Sequence, residues 1–177
     1  MLRRFLTALF LLSAMVWDLC AANDEWEPYR KTGLFPAESG HWIAPDMRKE
    51  TVDEFAARLL NGATEGEAKA MATLGRLFYV RGDAARAGEW LLKAALTGHT
   101  GAQLDYGVLK SKGEGMDLAE AYEWLWLATW SKEPGAEAAL QQLSPRVEAW
   151  QVLLAVKRAA EFQTAHPEKA GNKAAAK

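Results

Sequence analysis

Between Ala68 and Ala139 one pattern of residues occurs twice, and this repeat limits the possible fold more than any other feature. Ala70-Met71-Ala72-Thr73-Leu74-Gly75 is matched by Ala102-Gln103-Leu104-Asp105-Tyr106-Gly107, an offset of 32 residues. Further on, Ala87-Gly88-Glu89-Trp90-Leu91 is matched by Ala121-Tyr122-Glu123-Trp124-Leu125, an offset of 34. Between the blocks lie glycine-containing turns, Arg81-Gly82-Asp83 in copy one and Lys112-Gly113-Glu114-Gly115-Met116-Asp117 in copy two. The longer second turn accounts for the change of offset. A period in the low thirties, made of two helices and a turn, predicts an α-solenoid. Such a fold presents surface to partners without identifying them.

The spacing of apolar residues predicts a helix pair in each copy. Ala68, Met71, Ala72, Gly75, Phe78 and Tyr79 fall on one helical face. Thr64 and Glu67 have the spacing of a capping box at its start, and Gly82 suits a left-handed stop. A second helix is expected to open at Asp83, carry Ala84, Ala87, Leu91, Ala94 and Ala95 on one face, and close at Gly98. Copy two predicts helices from about Gly101 to Ser111 and from about Asp117 to Ser131, the latter with an Asp117/Glu120 capping box. Alanine and glycine on facing sides permit helix axes near ~8 Å apart. Gly75 and Gly107 occupy these close-approach points.

Taken together, these residues resemble the SEL-one-like repeat family, relatives of the tetratricopeptide repeats that abound in bacteria. Copy one supplies Leu74-Gly75, Tyr79, Gly82, Arg86-Ala87, Trp90, Ala94-Ala95 and Gly98-His99. Copy two supplies Ala102-Gln103, Tyr106-Gly107, Gly113-Glu114-Gly115-Met116, Glu120-Ala121, Trp124 and Ala128. Copy one departs from the pattern by lacking the Gly-x-Gly turn, and Thr129 stands where a second alanine is usual. The resemblance implies a non-catalytic adaptor, inhibitor or envelope-assembly factor that binds another protein.

The flanks complete the predicted organisation. Residues 1–22 read as a secretory signal: Arg3 and Arg4, the apolar run Phe5 to Val16, then Cys20-Ala21-Ala22 before Asn23. That run is shorter than the about 20 residues of a membrane-spanning helix. Cys20 invites a lipoprotein reading that Trp17-Asp18-Leu19 fits poorly, and Arg3-Arg4-Phe5-Leu6 has a faint twin-arginine character; ordinary secretion is the favoured expectation. Cleavage after Ala22 would leave a periplasmic chain of net charge −3, with no cysteine, no disulfide and no membrane span. An uncleaved signal would instead tether it. Residues 23–50 are punctuated by Pro28, Gly33, Pro36, Gly40 and Pro45, yet carry Trp26, Tyr29, Leu34, Phe35, Trp42, Ile43 and Met47. This predicts an extended segment lying on the solenoid, either capping its first helix or filling its groove.

Thr51 and Glu54 form a third capping box, opening a lid helix through Phe55, Leu59 and Leu60 to Gly62. A short helix is expected from Pro134 to Gln142, and a last one from Ser144-Pro145 to about Gln163, with Val147, Trp150, Leu154 and Phe162 among its apolar residues. The expected fold class is thus all-α: a short α-solenoid of helix-turn-helix repeats with an extended N-terminal segment and a C-terminal capping helix. Its parts are a signal at 1–22, the extended segment at 23–50, the repeat domain with its lid helix at 51–142, the capping helix at 143–166 and a tail at 167–177.

Little points to catalysis. The chain has three histidines, one cysteine and a net charge of −2, with no phosphate loop and no metal-spaced Cys/His cluster. The expectation is no catalytic residue, no cofactor, no metal and no nucleic-acid partner. His99 reads as a turn residue and Trp90 and Trp124 as core. For partner binding, the first helices of the pairs offer Arg76, Tyr79, Gln103, Asp105 and Lys110 along the solenoid groove. A competing site is Tyr122, Trp126 and Trp130, which recur every four residues on a helix whose other face is already apolar. Two alternatives stand beside the interaction module: an immunity-type inhibitor of a periplasmic toxin, and a peptidoglycan- or glycan-binding module using exposed tryptophans.

Overall fold

The computed structural model describes residues 43, 45, 46, 49–112 and 115–167; the signal, most of the extended segment and all but the first residue of the tail expected from the sequence lie outside these. Among the described residues the fold is all-α, with seven helices and no strand. In chain order they are α1 (Val52–Thr64), α2 (Ala68–Val80), α3 (Ala84–Leu96), α4 (Thr100–Lys110), α5 (Leu118–Trp130), α6 (Ala136–Leu143) and α7 (Ala149–Ala165), with a 3-10 turn at Ser144–Arg146 between the last two. Each helix packs on its neighbours in the chain, α1 on α2, α2 on α3, α3 on α4 and α4 on α5, while α5 also receives α6 and α7. This is the nearest-neighbour stacking of a short solenoid.

Capping sets most boundaries. The Thr51 hydroxyl accepts from the Glu54 amide at 3.3 Å while the Thr51 amide donates to the Glu54 carboxylate at 2.8 Å, a complete capping box for α1. The stop expected at Gly62 is corrected: α1 runs two residues on to Thr64, and Gly66 takes the left-handed turn with φ +90°. Gly62 serves a different purpose. A β-carbon there would lie 3.0 Å from that of Ala70, so the glycine lets α1 approach α2. The Thr64/Glu67 capping box is therefore absent; the Thr64 hydroxyl donates back to the Asn61 carbonyl at 2.7 Å, and Glu67 caps α2 without a side-chain bond.

Two further expectations at helix starts are corrected. Asp117 accepts from the Glu120 amide at 2.9 Å, but the Glu120 carboxylate turns away to α4, so only half the box forms. Ser144-Pro145 begins the 3-10 turn and not α7, because the Ser144 hydroxyl donates back to the Leu140 carbonyl at 2.7 Å. Glu148 and Gln151 form the capping box of α7 instead.

Gly75 and Gly107 are packing positions. A β-carbon on Gly75 would come within 2.7 Å of Leu91 Cγ and 3.1 Å of the Leu91 amide nitrogen. One on Gly107 would meet Leu125 Cγ at 2.8 Å and the Ala121 carbonyl oxygen at 3.1 Å. Backbone cannot yield as a side chain can, so each glycine fixes the depth to which its helix pair interlocks.

The buried side chains form two clusters. One joins Phe55 and Leu59 of α1 to Leu74, Leu77 and Leu91, reaching Trp124 and Ala159. The other joins Ala121, Tyr122 and Leu125 to Leu140, Leu143 and Ala155, and Trp126 packs against both. Ahead of α1, Ile43 packs on the first cluster and its amide donates to Thr73 Oγ1 of α2 at 3.1 Å, leaving Thr73 fully buried. At the far end Phe162 of α7 meets the edge of Trp124 at 5.6 Å between ring centroids.

Candidate functional site: a cleft between the repeats

The second helix of copy one turns small residues toward copy two. Ala84, Ala85 and Gly88 lie on the first turns of α3, and opposite them stand Tyr106, Leu109 and Lys110 at the end of α4. The missing side-chain volume leaves an open cleft of about 670 Å³, completed by Tyr79, Glu89, Leu92, Lys112 and Gly115. Its floor is apolar, and Lys110, Lys112, Glu89 and the Tyr79 hydroxyl supply polar groups at the walls. Tyr79 is 48% exposed although it belongs to a helix that is otherwise well covered. A concave apolar site with a few placed polar groups is the usual form of a binding site.

A hydrogen-bonded triad holds the α4 wall. The Tyr106 hydroxyl donates to Glu120 Oε1 at 2.8 Å, and Lys110 Nζ lies 3.0 Å from Glu120 Oε2. Burial, then the neighbouring Glu120 carboxylate, raises the Tyr106 phenol well above its ordinary range, so it stays a donor. Its ring stands edge-on to Trp124 at 5.8 Å and lies under the Lys110 ammonium at 5.5 Å. Lys110 is therefore a fixed charge on the cleft wall.

Of the residues expected to line a partner groove, Tyr79 and Lys110 meet in this cleft. Arg76 and Asp105 engage each other in a two-pronged ion pair that links α2 to α4, one prong being Arg76 Nη2 to Asp105 Oδ1 at 3.0 Å. Burial lifts the Asp105 carboxyl, against the pull of the Arg76 guanidinium. Gln103 is corrected from a surface contact to a core residue: it is 1% exposed, and its amide nitrogen reaches the Ala95 carbonyl at 3.4 Å. His99 caps α4, its Nδ1 accepting from the Ala102 amide at 3.1 Å.

The aromatic residues of α5 do not form one surface. Tyr122 is buried, Trp126 is half-buried and stacked on Tyr122 at 6.2 Å, and only Trp130 is exposed, at 56%. Trp124 is core as expected, whereas Trp90 is half-buried beneath the Lys93 ammonium, 4.3 Å from the ring centroid. Ala84, expected on the inner face of α3, is exposed in the cleft. Gly88, Leu92, Leu109 and Lys112 were not foreseen as site residues. The run of small residues at 84, 85 and 88 is the one signal from which the cleft can be read. Among the described residues no group of His, Cys, Asp or Glu is placed to hold a metal ion, and no helix is long and apolar enough to cross a membrane.

No family model matches the chain, and no curated protein matches it. Among solved structures, a protective antigen present in uropathogenic Escherichia coli strains and displaying an SLR (SEL-one-like repeat) fold is similar, with a TM-score of 0.61 and 20% sequence identity. The match covers 87% of this chain but 33% of that one, so this chain spans about a third of its length. Paired helices, interlocking glycines and this superposition agree: the chain has the SLR fold.

Proposed function

We propose that this chain is a non-catalytic protein-interaction module, exported to the periplasm after removal of residues 1–22, that grips a segment of another protein in the cleft between its repeats. The observation that carries this reading is the 670 Å³ cleft itself, where an apolar floor, the exposed Tyr79 ring and the fixed Lys110 ammonium converge. Repeat solenoids bind through extended surfaces of this kind, and an exposed aromatic beside an anchored charge has the composition of a binding hot spot. The Arg76–Asp105 pair supports the choice of cleft over groove, since both side chains are already engaged.

A photo-crosslinking residue in place of Tyr79 tests it, with a second chain carrying it in place of the exposed Asn61 on α1. Crosslinks to one defined protein from position 79, lost when Gly88→Leu fills the cleft, are expected. Crosslinks that are equal from both positions would overturn the site. Export is tested separately by N-terminal sequencing of protein from the cell envelope, expected to begin near Asn23; a start at Met1 would overturn it.

A further inference from the structure

The cleft between the repeats offers an incoming chain few hydrogen bonds. Ala84, Ala85, Gly88 and Leu92 of α3 face the Tyr106 ring and Leu109 of α4 across it. At the end of α4 the last four main-chain carbonyls are all taken. Gly107 and Leu109 accept from the Ser111 and Lys112 amides, Val108 from the Ser111 hydroxyl and Lys110 from the Asp117 amide. On α3, Asp83 already holds the Arg86 and Ala87 amides. The Tyr106 hydroxyl and the Lys110 ammonium are bound to Glu120. Among the described residues no strand presents an edge that a peptide could extend. What remains is the Tyr79 hydroxyl and two opposite charges, Glu89 on the α3 wall and Lys112 on the α4 wall. Neither charged side chain has a partner among the described residues.

The α3 lining runs from Ala84 to Leu92, about 12 Å of helix axis. An extended segment laid along it has about four residues there, and with them about eight main-chain polar groups. Those turned inward would meet aliphatic side chains and lose their water. A helix closes its own main-chain bonds and lays only side chains on an apolar floor. We propose that the segment gripped in the cleft is an amphipathic helix with an apolar row on the floor, a basic residue over Glu89 and an acidic one over Lys112. This rests on the cleft being the binding site and specifies what it binds. The opposed charges select this occupant, since a uniformly acidic or uniformly basic helix sets one flank against its like. They also give it a direction, because turning the helix end for end exchanges its flanks.

Random linear peptides of about 15 residues, displayed on phage and selected on the full chain as its host processes it, test this. Binders are retained when Gly88→Leu and Ala85→Trp, which fill the cleft from two positions, each weaken them at least tenfold with unchanged unfolding midpoints. Labelled retained peptides are expected to show helical backbone chemical shifts when bound. Glu89→Lys should weaken them about two- to fivefold, and exchanging the basic flank residue of the peptide for Glu should restore affinity. Retained peptides that bind in an extended form overturn the helix and leave the cleft as the site, as do helical ones indifferent to both Glu89→Lys and Lys112→Glu. If no peptide depends on the cleft, the helix and the cleft reading fall together.

Discussion

The Tyr106 hydroxyl and the Glu120 carboxylate, 2.8 Å apart, join the first helix of copy two to the second. The same carboxylate holds Lys110 at 3.0 Å, so one side chain satisfies a buried phenol and an ammonium at once. Glu120→Ala leaves the phenol without its acceptor, and unfolding in urea is expected to show a loss of about 1–3 kcal/mol. Glu120→Gln keeps an acceptor for Tyr106 and should lose less. Equal losses for the two variants would mean that the hydrogen bond contributes nothing beyond the charge.

Glycines of one chain separate cleanly by what surrounds them. At Gly107 an added side chain meets the Ala121 carbonyl, and Gly107→Leu should overpack the helix pair by about 1–3 kcal/mol. At Gly88 an added β-carbon has its nearest neighbour, Leu109 Cδ2, at an ordinary 3.5 Å. Gly88→Ala is therefore expected to be neutral or to stabilise by up to about 1 kcal/mol through its helix propensity. Thermal unfolding of both variants checks the contrast.

Burial lifts the Glu123 carboxyl from 4.5 to about 7; the carboxylates of Glu120, Asp117 and Glu161 push the same way, while Arg158, 3.9 Å distant, opposes. The folded chain then holds a proton that the unfolded chain releases. Stability from this group is greatest below pH 4.5, falls as pH rises through 7, and is level beyond. With solvent screening the difference is on the order of 1–2 kcal/mol. Glu123→Gln should remove most of the change in urea midpoint between pH 5 and pH 8, and a variant with the wild-type slope would refute the assignment.

Two tryptophans on α5 should respond oppositely to truncation. Trp124 is 4% exposed and touches both Tyr106 and Phe162, so Trp124→Ala is expected to cost about 3–5 kcal/mol. Trp130, exposed at the helix end, should lose less than about 1 kcal/mol on the same change. Chemical denaturation of the two variants distinguishes them.

The repeat, its glycines and its helix pairs are legible in the sequence because each rests on local periodicity. Where two local signals compete, the prediction slips. Gly62 and Gly66 both suit a helix stop, and the proximity of Ala70, which is tertiary, reserves the first for packing. Likewise Thr64 and Ser144 have the spacing of caps but bond back to the preceding helix. The candidate site was readable as single residues and not as a place. Tyr79 and Lys110 come together only when α2, α3 and α4 stack, and Gln103 reads as polar surface until the end of α3 closes over it.

Thr73 and Asp105 hold the same place in the two copies, 32 residues apart. Asp105 accepts from Arg76 of the preceding repeat; Thr73 accepts from the amide of Ile43, ahead of any repeat. One socket thus takes two plugs, a guanidinium where another repeat precedes and a main-chain N–H where none does. That gives the stack a polarity. Each unit carries a receptor pointing back along the chain, but Val108 stands in copy two where Arg76 stands in copy one, so copy one moved behind copy two would find no guanidinium to receive. The two copies are alike in outline but not exchangeable in order.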